Sequence, residues 1–172
     1  MFVPNIFTIE ECLSIISLGK NFQDASNTSN DFSIIEPKFL FKDISFDNNS
    51  EWFIKKIASF VEKFNRKYFN FILDDISGFK IIGLRTNEKI PEHVDLTGNI
   101  ENSRRKITII VNLSQENIFK GGNIQLKNIR DKVPNSTGSI VIFPSYIPYK
   151  IEEVTSGTKF MLILWAYGLS FR

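Results

Sequence analysis

The residues in this chain that could do chemistry are few, and they gather around its one histidine. His93 stands two positions before Asp95 in the run from Pro91 to Asp95. Side chains alternate between faces on an extended segment, so an imidazole and a carboxylate at this spacing point the same way and make half of a metal site. Taken alone, such a pair is more readily a surface turn with a solvated histidine. The elements that position it decide the matter.

At 172 residues and 19.9 kDa, with 42% hydrophobic and 23% charged residues, the chain suits one domain spanning 1–172. The net charge of +2, from 21 basic and 19 acidic residues, argues against a nucleic-acid partner held by bulk electrostatics. A single cysteine, Cys12, excludes an internal disulfide and a cysteine-rich zinc site, and points to a reducing, cytoplasmic setting. No stretch approaches the length needed to cross a bilayer, so no membrane partner is expected.

Thr8 with Glu11 three residues later is a capping-box pattern, and Gly19 a stop, so a first helix is expected between them, burying Ile9, Cys12, Leu13 and Ile16. The Asn21 to Asp31 segment reads as a polar loop, and Phe32 to Ile44 as extended with a break at Pro37. Ser50 is placed to cap a long helix through about Tyr68, with Phe53, Ile57, Phe60, Phe64 and Tyr68 on its buried face and Lys55, Lys56, Lys63 and Lys67 opposite. The helical part thus covers about 1–68. From about 69 to 172 the pattern changes to short apolar runs: Phe69 to Leu73, Phe79 to Leu84, Ile107 to Leu113, Ile124 to Leu126, Ser139 to Phe143 and Lys159 to Tyr167. Breaks are expected at Asp74-Asp75, at Thr97 to Asn99, at Gly121-Gly122 and at Pro134-Asn135. Helices followed by many short strands define an α+β protein in which helices buttress a β-sandwich or barrel.

From residue 50 onward the order of motifs resembles the Fe(II)- and 2-oxoglutarate-dependent oxygenases of the prolyl-4-hydroxylase-like kind. The likeness rests on the Asn65 to Phe71 run, His93-Val94-Asp95, the strand from Arg105 to Thr108, Gly121-Gly122, Phe143-Pro144-Ser145, the turn from Thr155 to Thr158, Lys159 and Trp165. It implies a double-stranded β-helix, the cupin-like jelly roll, as the core behind the N-terminal helices. It also implies Fe(II) held by a facial set of two imidazoles and one carboxylate, with 2-oxoglutarate as cosubstrate. Under the resemblance His93 and Asp95 are metal ligands, Lys159 pairs with the distal carboxylate of 2-oxoglutarate, and Asn112, Thr155 and Thr158 are further candidates for that carboxylate. Arg104 and Arg105 could orient an anionic substrate or simply guard a strand edge.

The sequence departs from the family where the second histidine belongs: ten residues before Lys159 stands Tyr149. Tyr149 is therefore the candidate third ligand, though a phenol with a free pKa near 10 is a poor partner for ferrous iron. Arg85 and Glu88 also replace residue types common before the HxD. Three readings remain open here: a hydroxylase-like dioxygenase with a non-standard metal centre, a jelly-roll binding or scaffold protein that has lost the metal, and a cupin-like small-molecule binder. The substrate, a small molecule or a peptide, is not named by any motif, and either a monomer or a homodimer suits the surface.

Overall fold

Two antiparallel sheets enclose one apolar layer, and two helices cover a second layer on the outside. The structure is a computed structural model and describes residues 2–19, 23–24, 39–98, 102–129 and 133–170. In chain order the elements are β1 (Phe2–Val3), α1 (Ile9–Ser17), β2 (Gln23–Asp24), β3 (Leu40–Asp43), α2 (Glu51–Phe64), β4 (Leu73–Arg85), β5 (Ile90–His93), β6 (Arg105–Asn112), β7 (Phe119–Gly121), β8 (Ile124–Leu126), β9 (Ile140–Pro144), β10 (Tyr149–Ile151) and β11 (Val154–Gly168). The large sheet runs β1-β9-β6-β11-β4-β3-β2, with β7 paired to the start of β11; the small sheet runs β5-β10-β8. This is the expected α+β jelly roll.

Alternation along the central strands creates the two layers. On β11, Met161, Ile163 and Trp165 face the space between the sheets with Ile82, Leu84, Ile110, Leu126 and Tyr149. The intervening Leu162, Leu164 and Ala166 join Ile107, Ile109 and Val111 of β6 beneath Phe53, Ile57 and Val61 of α2 and Cys12 and Ile15 of α1. Burial on both faces explains why Ile107 to Val111 of β6 read as an apolar run broken only by Thr108, in a strand whose every residue is buried. Each such Ile or Leu contributes about 1.5–3 kcal/mol by leaving water.

Helix α1 starts with the predicted capping box: Thr8 Oγ1 accepts from the Glu11 N–H at 3.2 Å and Glu11 accepts from the Thr8 N–H at 2.8 Å. Its buried stripe differs from the expected one. Cys12 and Ile15 are buried in the apolar layer shared with α2 and the large sheet, whereas Ile9 and Leu13 are exposed. The Cys12 thiol is buried and free, and burial pushes its pKa up to about 11, so it is inert.

The second helix is also corrected. Ser50 makes no capping bond; its hydroxyl donates to Ser45 O at 2.7 Å. Regular α-helix ends at Phe64, and Asn65–Phe69 continue as a π-helical turn closed by Asn70 in the left-handed conformation. Asn65 explains the stop: its Nδ2 donates to Phe71 O at 2.7 Å and its Oδ1 accepts from the Phe71 N–H at 2.9 Å, folding the chain back toward β4. Ile54 and Val61 take buried places assigned to Phe60 and Tyr68, and Tyr68 is exposed. Of the expected Phe69 to Leu73 strand, residues 69–72 are therefore the helix exit and only Leu73 lies in a strand, at the start of β4. The Asp74-Asp75 break does not occur either, since both residues lie within β4, paired to the end of β11. Of the polar segment expected as a loop, Gln23–Asp24 form β2 against β3; its remainder and Pro37 lie outside the described residues.

Gly138 locks β9 to the N-terminus. It has φ +68°, its carbonyl accepts from the N–H groups of Ile6 and Phe7, and a Cβ built there would lie 1.9 Å from Phe7 O.

Candidate functional site

The small sheet brings the sequence-predicted ligands together. β5 and β10 pair antiparallel with His93 opposite Tyr149, and their rings lie 4.4 Å apart between centroids. The chain then turns out of β5, and Leu96 N–H bonds Ser145 O at 3.1 Å, which sets Asp95 beside Thr108 in the middle of β6. Asp95 is 4% exposed. Its Oδ2 accepts from Thr108 Oγ1 at 2.7 Å, and Thr108 in turn contacts Ser145 Oγ at 3.0 Å.

Two lone-pair donors face each other at the centre. His93 Nδ1 lies 2.9 Å from Pro91 O, which can only accept, so Nδ1 carries the proton. Nε2 then presents its lone pair toward Asp95 Oδ1 at 3.4 Å. Two acceptors at that separation call for a proton or a cation between them. Burial pulls the His93 pKa down, but the hydrogen bond and charge of Asp95 outweigh it, and the net shift is upward from 6.5. Burial alone would raise the Asp95 carboxyl; His93, Thr108 and the nearby Trp165 indole hold it below its ordinary value instead. The Trp165 N–H itself makes no hydrogen bond.

Tyr149 is 1% exposed and directs its hydroxyl to the same Asp95 oxygen at 3.5 Å. Burial first, and then the Asp95 charge, push its pKa well above 10, so it is a neutral phenol. No group of three His, Cys, Asp or Glu side chains comes together among the described residues. His93 and Asp95, each oriented by an outer hydrogen bond, are two donors of the kind a divalent ion takes, and Tyr149 offers only a neutral hydroxyl beside them.

Lys159 lies at the other end of the interior, on the same face of β11 as Met161 and Trp165. It is fully buried; Nζ donates to Gly122 O at 2.6 Å and Asn135 Oδ1 at 2.8 Å, and it forms no ion pair among the described residues. Burial pulls its pKa from 10.5 down to about 7. Gly122, with φ +64°, leaves the room this side chain needs, since a Cβ there would stand 3.0 Å from Lys159 Cδ.

The other candidates are not brought to Lys159 in the expected way. Thr155 is exposed, and Thr158 lies on the opposite face of β11 from Lys159. Asn112 shares the interior face, but its amide donates to the main-chain oxygens of Ser114, Asn135 and Ser136, which commits both its hydrogens. Arg85 and Glu88 form an ion pair at a turn beyond β4, at 2.8 Å. Arg104 pairs with Asp74 on the surface at 2.8 Å, while Arg105 is buried, with its guanidinium 3.8 Å from the Trp165 ring centre, and its charge reaches His93 and Tyr149. Thr108 and Asn135 are the functional neighbours that sequence reasoning missed. Thr108 was visible as the one hydroxyl inside a run of Ile and Val, while Asn135 carried no signal beyond its turn position.

A double-stranded β-helix with an HxD on the small sheet and a buried lysine on the long central strand defines the class of oxygenase-like jelly rolls. The sequence profile of the 2OG-Fe(II) oxygenase superfamily matches residues 79–167, just over half of the chain, and the chain belongs to that superfamily. A PKHD-type hydroxylase of Prochlorococcus marinus is 29% identical over 75 residues, which cover 42% of this chain and 34% of the relative; the match thus spans about a third of that protein's length. Among solved structures, a prolyl hydroxylase of Trichoplax adhaerens in complex with a hypoxia-inducible-factor peptide aligns with TM-score 0.74 and 14% identity, covering 97% of this chain and 82% of its own. A Pseudomonas putida prolyl-4-hydroxylase aligns with TM-score 0.74 and 12% identity, covering 99% and 92%. The prolyl-hydroxylase fold is thereby shared, and the family generally uses Fe(II) and 2-oxoglutarate. No helix among the described residues is long and apolar enough to cross a membrane.

Proposed function

We propose that this protein is a hydroxylase-like dioxygenase dependent on Fe(II) and 2-oxoglutarate, with a metal centre held by His93 and Asp95 and completed by the neutral Tyr149 hydroxyl or water. The reading is carried by the opposed lone pairs of His93 Nε2 and Asp95 Oδ1 at 3.4 Å, an arrangement that suits a cation. Bound iron would supply the chemistry that couples dioxygen and 2-oxoglutarate to oxidation of a substrate C–H bond. The chain's own residues do the positioning. Pro91 O fixes the imidazole tautomer, Thr108 holds the carboxylate, and Lys159 offers a point charge to the distal carboxylate of 2-oxoglutarate. The apolar lining from Met161, Ile163 and Trp165 keeps water out. Arg105 lies close enough to favour an anionic substrate, whether a small molecule or a peptide.

The alternative, a non-catalytic binding or scaffold protein, draws on the neutral Tyr149 phenol, since it denies the centre a third strong ligand. A scaffold that had abandoned the site would be free to turn Tyr149 away from His93, yet the two rings are in contact. Succinate formation from 2-oxoglutarate with added Fe(II) separates the readings. Turnover by the native chain that is lost in His93→Ala supports the dioxygenase; no turnover in the native chain, but turnover in Tyr149→His, supports the non-catalytic protein.

A further inference from the structure

Lys159 and Asn112, two of the four side chains expected at a distal carboxylate, each donate a hydrogen bond to the same residue. Lys159 Nζ donates to Asn135 Oδ1 at 2.8 Å, and Asn112 Nδ2 donates to the Asn135 main-chain oxygen. Asn135 is held in turn by its own amide, which donates to Asn123 Oδ1 at 2.9 Å and Gly121 O at 3.2 Å. The position where a carboxylate would meet the buried ammonium is thus taken by a neutral amide oxygen of the protein itself.

We propose that Asn135 is an internal ligand seated on Lys159, which a dicarboxylate must displace to bind, so that Asn135 sets the affinity of this chain for its cosubstrate. The inference rests on Lys159 being the cosubstrate anchor, and deepens that reading. A carboxylate adds the attraction of a full opposite charge to the hydrogen bond that an amide oxygen makes with the ammonium, so the exchange favours the incoming carboxylate. In its protonated form Lys159 has three N–H groups and, among the described residues, two acceptors, which leaves one donor to receive the ligand before Asn135 departs. Asn135 is only half-buried and lies in an irregular stretch, 133–136, between Val133 in the interior layer and the locked Gly138. Moving one side chain there disrupts no strand pairing. The Asn112 amide stays on the main-chain oxygens of Ser114, Asn135 and Ser136, so the displacement uncovers Lys159 alone.

The test is titration of metal-free protein with glutarate, a dicarboxylate without the 2-oxo group that would chelate a metal, and with 2-oxoglutarate in parallel. Asn135→Ala is expected to bind both at least about tenfold more tightly than the native chain, the worth of one hydrogen bond to a charged group. Asn135→Asp keeps the shape but places a permanent carboxylate on Lys159, and is expected to lose binding and melt at higher temperature. Unchanged or weaker binding by a cooperatively folding Asn135→Ala overturns the proposal, as does native-like binding by Asn135→Asp or the absence of binding in every sample. If Asn135→Ala does not fold, the Asn135→Asp result decides alone. Mn(II) binding, read by electron paramagnetic resonance on the same samples, keeps the two readings apart: a glutarate shift without Mn(II) binding sinks the metal centre and leaves this proposal standing, and Mn(II) binding with no glutarate shift does the reverse.

Discussion

Replacing Lys159 with methionine should remove a pH dependence of stability that one residue creates. The folded-state pKa is about 7 and the unfolded value 10.5, so between those limits the unfolded chain holds a proton that the folded chain does not. For a base shifted downward, the penalty is fully present below pH 7 and disappears above 10.5; stability therefore rises with pH across the window, by about 1.4 kcal/mol per unit. From pH 7.5 to 9.5 the native chain should gain about 2.5 kcal/mol over Lys159→Met, or roughly 5–10 °C in the gap between their melting temperatures. Gly122 O and Asn135 Oδ1 lose their donor in the variant, at about 1–3 kcal/mol each, but that offset does not change with pH. Urea unfolding of both proteins at the two pH values measures the gap, and contributions from Cys12 and Tyr149, which titrate in both, cancel. A gap that stays flat between pH 7.5 and 9.5 would show that Lys159 remains charged in the fold, and would refute the burial argument.

Two further outcomes follow from the geometry. In metal-free protein the lone histidine gives an unambiguous proton resonance, which should titrate above 6.5 in the native chain and fall in Asp95→Asn; because the folded pKa is raised, the stability it contributes is present below 6.5 and lost as pH rises through the folded value, and the variant should lack it. Gly138→Ala must move Phe7 off a 1.9 Å clash at a positive φ, so thermal unfolding should show a loss of about 3 kcal/mol or more, and a melting temperature within a degree of native would contradict the locked-turn description.

Where sequence and structure agree, the signal was local and periodic. Thr8 and Glu11 announce a helix start because both bonds of a capping box span three residues, and the alternation of β6 and β11 is visible once burial on both faces is allowed. The His93, Asp95 and Tyr149 cluster was readable because fixed spacings, two residues and then ten before Lys159, map onto strand registers. What was missed depends on long-range contacts. Ile9 and Leu13 look as apolar as Cys12 and Ile15, and only packing into the layer formed with α2 and the large sheet selects among them. Asp74-Asp75 reads as a turn, yet pairing with β11, with Arg104 close by, holds it in a strand. Asn112 has the right position and the wrong commitments, because the main-chain oxygens of Ser114, Asn135 and Ser136 claim its hydrogens.

The most direct test of the metal centre is a calorimetric titration of the native chain with Mn(II) as a redox-stable stand-in for Fe(II). The account predicts one ion per chain, with binding lost in His93→Ala and in Asp95→Ala. No binding at millimolar Mn(II), or binding indifferent to both substitutions, would contradict it.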